Sequence, residues 1–141
     1  MTLVDVRPGL LELLASNAGI KAMVDGRIYP VKVLQGVSRD SLVYNLISEF
    51  DIYKMDGPSG LVSARYQIDA WSQSADSAMT LANLVKEQLG GFAGLITLDP
   101  PLGTVNVQGI FSVTGRDDWD EGVLMYRVSR DYYVWYAERN A

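Results

Sequence analysis

The chain has 141 residues, 48% of them hydrophobic and 21% charged, with a net charge of −5. It contains no cysteine and no histidine, which excludes disulfides, thiolate nucleophiles, imidazole bases, Ser–His–Asp triads and Cys- or His-ligated metals. The acidic balance argues against a phosphate-binding surface covering the molecule, and the length fits one domain, residues 1–141, that buries a core without covalent staples.

The opening "MTLVDVRPG" has no basic segment followed by an apolar one, so it does not read as a secretory signal, and a cytosolic site of synthesis and use is expected. No apolar run approaches the ~20 residues of a membrane span. Asp5 to Asn17 reads as a helix: Asp5 is placed to cap it, Pro8 falls in its first turn, and Leu10, Leu11, Leu13 and Leu14 form its apolar stripe. Asn17 and Gly19 are expected to end it, and Ile20 to Val24 reads as one short helical turn. Asp25-Gly26 is a turn dipeptide, and Arg27-Ile28-Tyr29 begins an extended piece before Pro30. Arg27 is a candidate to bind an anion or to pair with an acidic neighbour and hold a loop.

"SLVYNLISEFDIY", from Ser41 to Tyr53, is rich in β-branched and aromatic residues and reads as a strand. Leu42, Tyr44 and Leu46 share one face, with Val43, Asn45, Ile47 and Glu49 on the other. Apolar residues on both faces predict a central or doubly covered strand. "DGPSG" follows. A phosphate-cradling loop would follow a strand and open a helix, whereas these glycines precede a strand, so Asp56 to Gly60 reads as a hairpin connection. From Val62 the alternation is strict: Val62, Ala64, Tyr66, Ile68 and Ala70 on one face, Ser63, Arg65, Gln67 and Asp69 on the other.

After Trp71 a second helix is expected, capped by Ser74, with Asp76 in its first turn and Gly90-Gly91 at its end. Its stripe of Ala75, Ala78, Met79, Ala82, Val85 and Leu89 suits close packing on a sheet. Phe92 to Gly103, with Pro100-Pro101, reads as a loop. Thr104 to Asp117 reads as a strand with Val105, Val107, Phe111 and Val113 on one face and a bulge at Gly109. Gly122 to Glu138 reads as a long last strand, Tyr126, Val128, Tyr132, Val134 and Tyr136 facing one way and Met125, Arg127, Ser129, Asp131, Tyr133 and Trp135 the other. The order α-β-β-β-α-β-β predicts an α+β fold, an antiparallel or mixed sheet of four to five strands with two helices packed on it.

Three features bear on function. Asp117, Asp118, Asp120 and Glu121 in "GRDDWDEG" offer oxygen ligands for a divalent cation, or a solvated loop, or an acidic face toward a partner or channel. Trp119 at the third position rules out an EF-hand loop. The aromatic group Tyr132, Tyr133, Trp135 and Tyr136, near Arg127, Arg130 and Arg139, divides between core packing and an interface more readily than it stacks bases on an acidic chain. Arg65, Gln67, Asp69, Arg127, Tyr133 and Trp135 are the candidate subunit or partner interface. Neither these nor a pairing such as Ser77 with Lys86 makes a catalytic constellation, and no cofactor is implied.

The series "AGIKAMVDGRIYP", "SLVYNLIS", "DGPSGLVSARYQIDAWSQSADSAMTLANLVKEQL" and "LMYRVSRDYYVWY" resembles, over nearly the whole chain, the tail terminator or tail completion family of long-tailed bacteriophages and phage-like particles. The resemblance implies a structural virion protein, not an enzyme: a homo-oligomeric ring, typically a hexamer, on the end of the tail tube. Such a ring ends tube polymerisation and presents a docking surface to the head–tail connector, while DNA passes through it without specific binding. Implied partners are further copies of the chain, the tail tube protein and the connector, with no membrane; the implied locations are the host cytoplasm during assembly and the tail–head junction of the virion. A head-side connector or stopper is the alternative, and a small Mg²⁺-dependent phosphotransfer enzyme using the 117–121 carboxylates a remote one.

Overall fold

The computed structural model describes residues 3–32, 38–98 and 103–138. The elements are α1 (Arg7–Ala15), α2 (Ala18–Val24), β1 (Ile28–Pro30), β2 (Ser41–Lys54), β3 (Gly57–Ser72), α3 (Ala75–Leu89), β4 (Gly94–Thr97), β5 (Thr104–Asp120) and β6 (Met125–Ala137). The fold is α+β, with one six-stranded sheet in the order β1-β2-β3-β6-β5-β4. β1 runs parallel to β2, and every other pair is antiparallel.

The sheet has more strands and the chain more helices than the pattern predicts, for local reasons. Ile20 to Val24 belongs to a full helix, because the Asn17 side chain accepts the Ile20 N–H at 3.0 Å and starts α2 where a helix end was expected. Gly94 to Thr97, read as loop, pairs with β5 as the short strand β4; Pro100-Pro101 lies outside the described residues. Asp5 does not cap α1: Val6 holds that position without a side-chain bond, while Asp5 accepts the Arg7 N–H at 2.9 Å and pairs with its guanidinium at 2.7 Å. That hydrogen bonding holds the Asp5 pKa below the usual carboxylate range. Ser74 does cap α3, accepting from the Ser77 N–H, and Gly90 closes it.

The alternation along β3 sets the layers. Val62, Ala64, Tyr66, Ile68 and Ala70 join one buried cluster with Leu10, Leu14 and Ile20 of α1 and α2, and with Ala78, Leu81, Val85 and Leu89 of α3. β6 adds Val128, Tyr132, Val134 and Tyr136 to the same cluster. All three helices therefore lie on one face of the sheet. Among the described residues the other face carries one small buried apolar cluster, Val43, Trp71 and Met125, with Tyr29 packed beside it.

Bulges alter two faces. A register shift between Leu46 and Ser48 turns Glu49 and Asp51 toward the helix side, opposite Ala64 and Val62, so Glu49 does not share the face of Val43. The bulge expected at Gly109 is present, between Val107 and Gly109, and sends Ile110 into the core while Phe111 stays exposed; a second follows between Ser112 and Thr114. Nor is β2 central. β1 covers only Leu42 to Tyr44, and β2 is exposed through most of its later length. The hairpin at "DGPSG" forms as read, but its turn is Met55-Asp56, and Gly57 is already paired with Lys54.

Burial raises the pKa of Tyr66 and Tyr132 to about 12, and pushes Tyr136 higher still. The unfolded chain releases these protons near pH 10.0, whereas the folded chain keeps them until about 12. Folding stability should therefore be unaffected by these groups below pH 10 and fall as pH rises from 10 toward 12. Urea midpoints across that range, read beside tyrosinate absorbance, test it. Of the eight tyrosines, these three should ionise only with loss of structure; ionisation of all eight near pH 10 with the fold intact would contradict their burial.

Candidate functional site

The helix-free face of the sheet holds most of the residues singled out in the sequence. Register aligns Arg65 with Tyr133, Gln67 with Asp131, Asp69 with Ser129 and Trp71 with Arg127. β5 adds Phe111, Thr114, Arg116 and Asp118 opposite Tyr133, Asp131, Ser129 and Arg127. Alternation in three antiparallel strands thus builds one continuous polar surface.

Its charges are cross-linked. Arg65 donates to Asp131 Oδ2 from Nη2 at 2.6 Å and from Nε at 3.0 Å, and its guanidinium lies 5.8 Å from the Tyr133 ring centroid. The Asp131 hydrogen bond raises the Arg65 pKa. Gln67 donates to Asp69 Oδ1 at 2.9 Å and accepts from Arg116 at 3.4 Å. Arg127 donates to Asp118 Oδ2 at 2.7 Å and sits 5.4 Å from the Trp71 ring; that hydrogen bond raises its pKa. Asp69 and Asp131 are buried, 4% and 5% exposed, so their carboxylates serve neighbouring side chains, while Arg65, Gln67, Arg127, Tyr133 and Trp135 are half-exposed and form the accessible part of the face. Tyr132 and Tyr136 point into the core. Arg139 lies outside the described residues.

The acidic run is not a loop. Asp117, Asp118 and Asp120 belong to β5, and Glu121 begins the turn that ends at Leu124. Successive residues of a strand point to opposite faces, so Asp117 lies level with Val128 on the helix side and Asp118 level with Arg127 on the other. Asp120 Oδ1 accepts the Gly122 N–H at 2.8 Å and the Val123 N–H at 3.3 Å, fixing the turn. The four carboxylates do not converge, and no group of three or more metal-ligating side chains is found among the described residues. Among the described residues Arg27 makes no ion pair with a carboxylate. It donates to the carbonyls of Asp40 and Met23 at 2.9 and 3.1 Å, tying the end of α2 to the start of β2.

Two features escape a reading by alternation. The first is a pair of uncovered strand edges. β2 beyond Tyr44 and β5 beyond Ile110 have no strand on their outer sides among the described residues. Along them Leu46, Ile47, Phe50, Phe111 and Val113 are exposed. The second is a groove of about 370 Å³ between α3 and β5, lined by Met79, Lys86, Val113, Gly115, Asp117 and Arg130 among others. Arg130 reaches Asn83 at 2.8 Å through Nη2, while its buried Nη1 has no partner among the described residues. Alternation along single strands shows neither, because the open edges follow from strand order and the groove from the packing of α3 beside β5 and β6.

Comparison with known proteins gives one family and one fold. The sequence model for tail completion protein gp17 matches residues 8–137. Among solved structures, a chain of the virion of a native gene transfer agent particle superposes with a TM-score of 0.67 at 17% identity, over 91% of each chain. At that identity the likeness is one of fold. No curated protein matches.

Proposed function

This chain belongs to the tail completion protein gp17 family, and we propose that it acts as a single domain that caps the end of a phage-type tail tube as a ring, ends tube polymerisation and offers the docking surface for the head–tail connector. The coarser statement, a structural protein of phage-type tails that resides in the virion, follows from the family itself. The observation that carries the finer one is the family match across nearly the whole chain, joined to a sheet whose outer edges, among the described residues, are unpaired for much of their length. A ring requires two different surfaces on each subunit that meet head to tail and close by rotation. A sheet with two unlike open edges has that property.

In this reading the copies of the chain form a hexamer, the tail tube protein and the connector bind its two rims, and DNA passes through its hole without specific contacts. Assembly takes place in the host cytoplasm, and the ring ends at the tail–head junction with no membrane involved. The cross-linked polar face, with Arg65, Gln67 and Arg127 accessible and Asp118 and Asp120 toward one end, is the proposed wall of the channel or contact with a partner. The role is structural rather than catalytic, in keeping with carboxylates spread over two faces.

Electron microscopy of tails assembled with and without the chain tests the proposal. Tails of uncontrolled length in its absence are the expected result. Tails of normal length, detached from heads that leak their DNA, would instead place the chain on the head side as a connector or stopper.

A further inference from the structure

We infer that the ring is closed by strand addition: the open edge of β2 in one copy pairs with the open edge of β5 in the next, and Glu49 and Asp51 of that β2 enter the cationic groove between α3 and β5. The inference rests on the ring reading above and names the subunit contact within it. Four observations carry it.

First, the two open stretches are diagonal. β1 covers the beginning of β2, leaving Asn45 to Lys54 open, while β4 and the Phe92–Ile110 hydrogen bond cover the beginning of β5, leaving the strand open from Phe111 to Asp120. Following the register across the sheet, Leu42 lies level with Asp117, and Asp51 level with Val107. Each edge is therefore covered where the other is open. Joining them offsets successive copies along the strands, and a closed sheet takes up such an offset as strand tilt.

Second, direction is correct without turning a copy over. β2, β3, β6 and β5 alternate in sense, so β2 and β5 run antiparallel across the sheet. A copy related by rotation about a ring axis brings β2 against β5 as an antiparallel pair, which satisfies the backbone groups of both edges.

Third, both open edges expose apolar side chains. Of the residues that most often blunt an edge, lysine and proline, the stretches Asn45 to Lys54 and Phe111 to Asp120 contain only Lys54, at the hairpin end. Between their bulges and carboxylates they expose Leu46, Ile47, Phe50, Phe111 and Val113.

Fourth, the charges match. The bulge at Ile47 turns Glu49 and Asp51 to the helix side, where both are exposed and make no ion pair among the described residues. On the helix side of the opposite edge lie Lys86 and Arg130, two cations against the one carboxylate of Asp117, with the Arg130 Nη1 buried and unpartnered among the described residues. With the helices of all copies on one side of the sheet, the carboxylates and the cations fall on the same face. Phe50 then lies on the other face, beside the Phe111 and Arg116 of its neighbour.

The test uses the full chain assembled on tail tube ends. The double variant Glu49→Lys/Asp51→Lys should abolish the ring, as should Lys86→Glu/Arg130→Glu, and the fourfold combination should restore it. Because the chain has no cysteine, Ser48→Cys and Thr114→Cys introduce single thiols on the helix-free side of the two edges without touching the core. A short bifunctional thiol reagent should join the two variants when they are mixed, and neither alone. A ring that forms normally with Glu49→Lys/Asp51→Lys, or a ring that gives no mixed cross-link, overturns strand addition and leaves the ring intact. Cross-linking of either variant with itself would show a two-fold contact and also overturn it. Tube ends that carry no ring of the unaltered chain would overturn the ring reading itself.

Discussion

Leu81→Ala is expected to destabilise the fold by about 3 kcal/mol, a large part of the ~5–15 kcal/mol that holds a domain of this size together. Leu81 is fully buried on α3, within the cluster that joins α3 to β3 and β6. Helix and sheet meet there through small residues, Ala78 and Ala82 on α3 and Ala64 and Ala70 on β3, so the backbones are already close and a vacated leucine volume has few ways to collapse. Thr80→Ala, an exposed change on the same helix, should stay within about 0.5 kcal/mol and serves as the control for helix propensity. Equilibrium urea unfolding measures both. A loss below ~1 kcal/mol at Leu81 would mean that the site repacks or that α3 does not seat as described.

Trp71→Ala is expected to cost a similar amount, about 3 to 5 kcal/mol, for a different reason and with a local consequence. Trp71 is 8% exposed on the face that carries no helix, where Val43, Met125 and Tyr29 are its apolar neighbours. Its ring also supports the Arg127 guanidinium, which in turn holds Asp118 on the neighbouring strand. Removing the ring takes away packing and loosens the base of the β5–β6 hairpin together. Amide exchange should rise in Arg116 to Arg127 before it rises in α3. Trp71→Phe should retain most of the stability, because the buried Nε1–H has no partner among the described residues to lose. Uniform exchange throughout the chain after Trp71→Ala would argue that the small cluster has no separate role.

The sequence was most legible where one physical rule acts alone. Period-2 alternation from Val62 to Ala70 named the core face of β3, and Ser74 with Gly90 bounded α3, because capping and pleating are set by near neighbours. The fold class followed from the order of such segments. Two kinds of detail did not. A four-residue strand such as Gly94–Thr97 has too little sequence to show a period, and exists because β5 offers it an edge. Bulges also resist, since one extra residue at Ile47 or Val113 reverses the facing of everything after it. The candidate surface shows the same division. Parity alone puts Arg65, Gln67, Asp69, Arg127, Tyr133 and Trp135 on one face of the sheet, but the partnership of Arg65 with Asp131 and of Arg127 with Asp118 depends on register between strands about 66 and 9 residues apart in the chain. Glu49, Lys86 and Arg130 entered the reading only as a strand-face residue, half of a non-catalytic pairing and a neighbour of the aromatic group, and Asp51 not at all, because a contact among them depends on where the bulge and the helix place them.

The strand order has a consequence for how the molecule comes into being. β6, the final strand, occupies the middle of the sheet between β3 and β5, and it pairs with β3 along Leu61 to Ser72 across more than 50 intervening residues. A nascent chain emerging from the ribosome can form the β2–β3 hairpin and the helices early, but β3 waits with its inner side open until β6 has been made. Such distant pairing slows folding, to the millisecond-to-second range typical of sheets joined at long separation, and leaves the half-built sheet prone to sticking to its own kind. The waiting side of β3 is harmless only while half-built copies stay apart, so the timing of synthesis, as much as the finished shape, bears on whether they complete or aggregate.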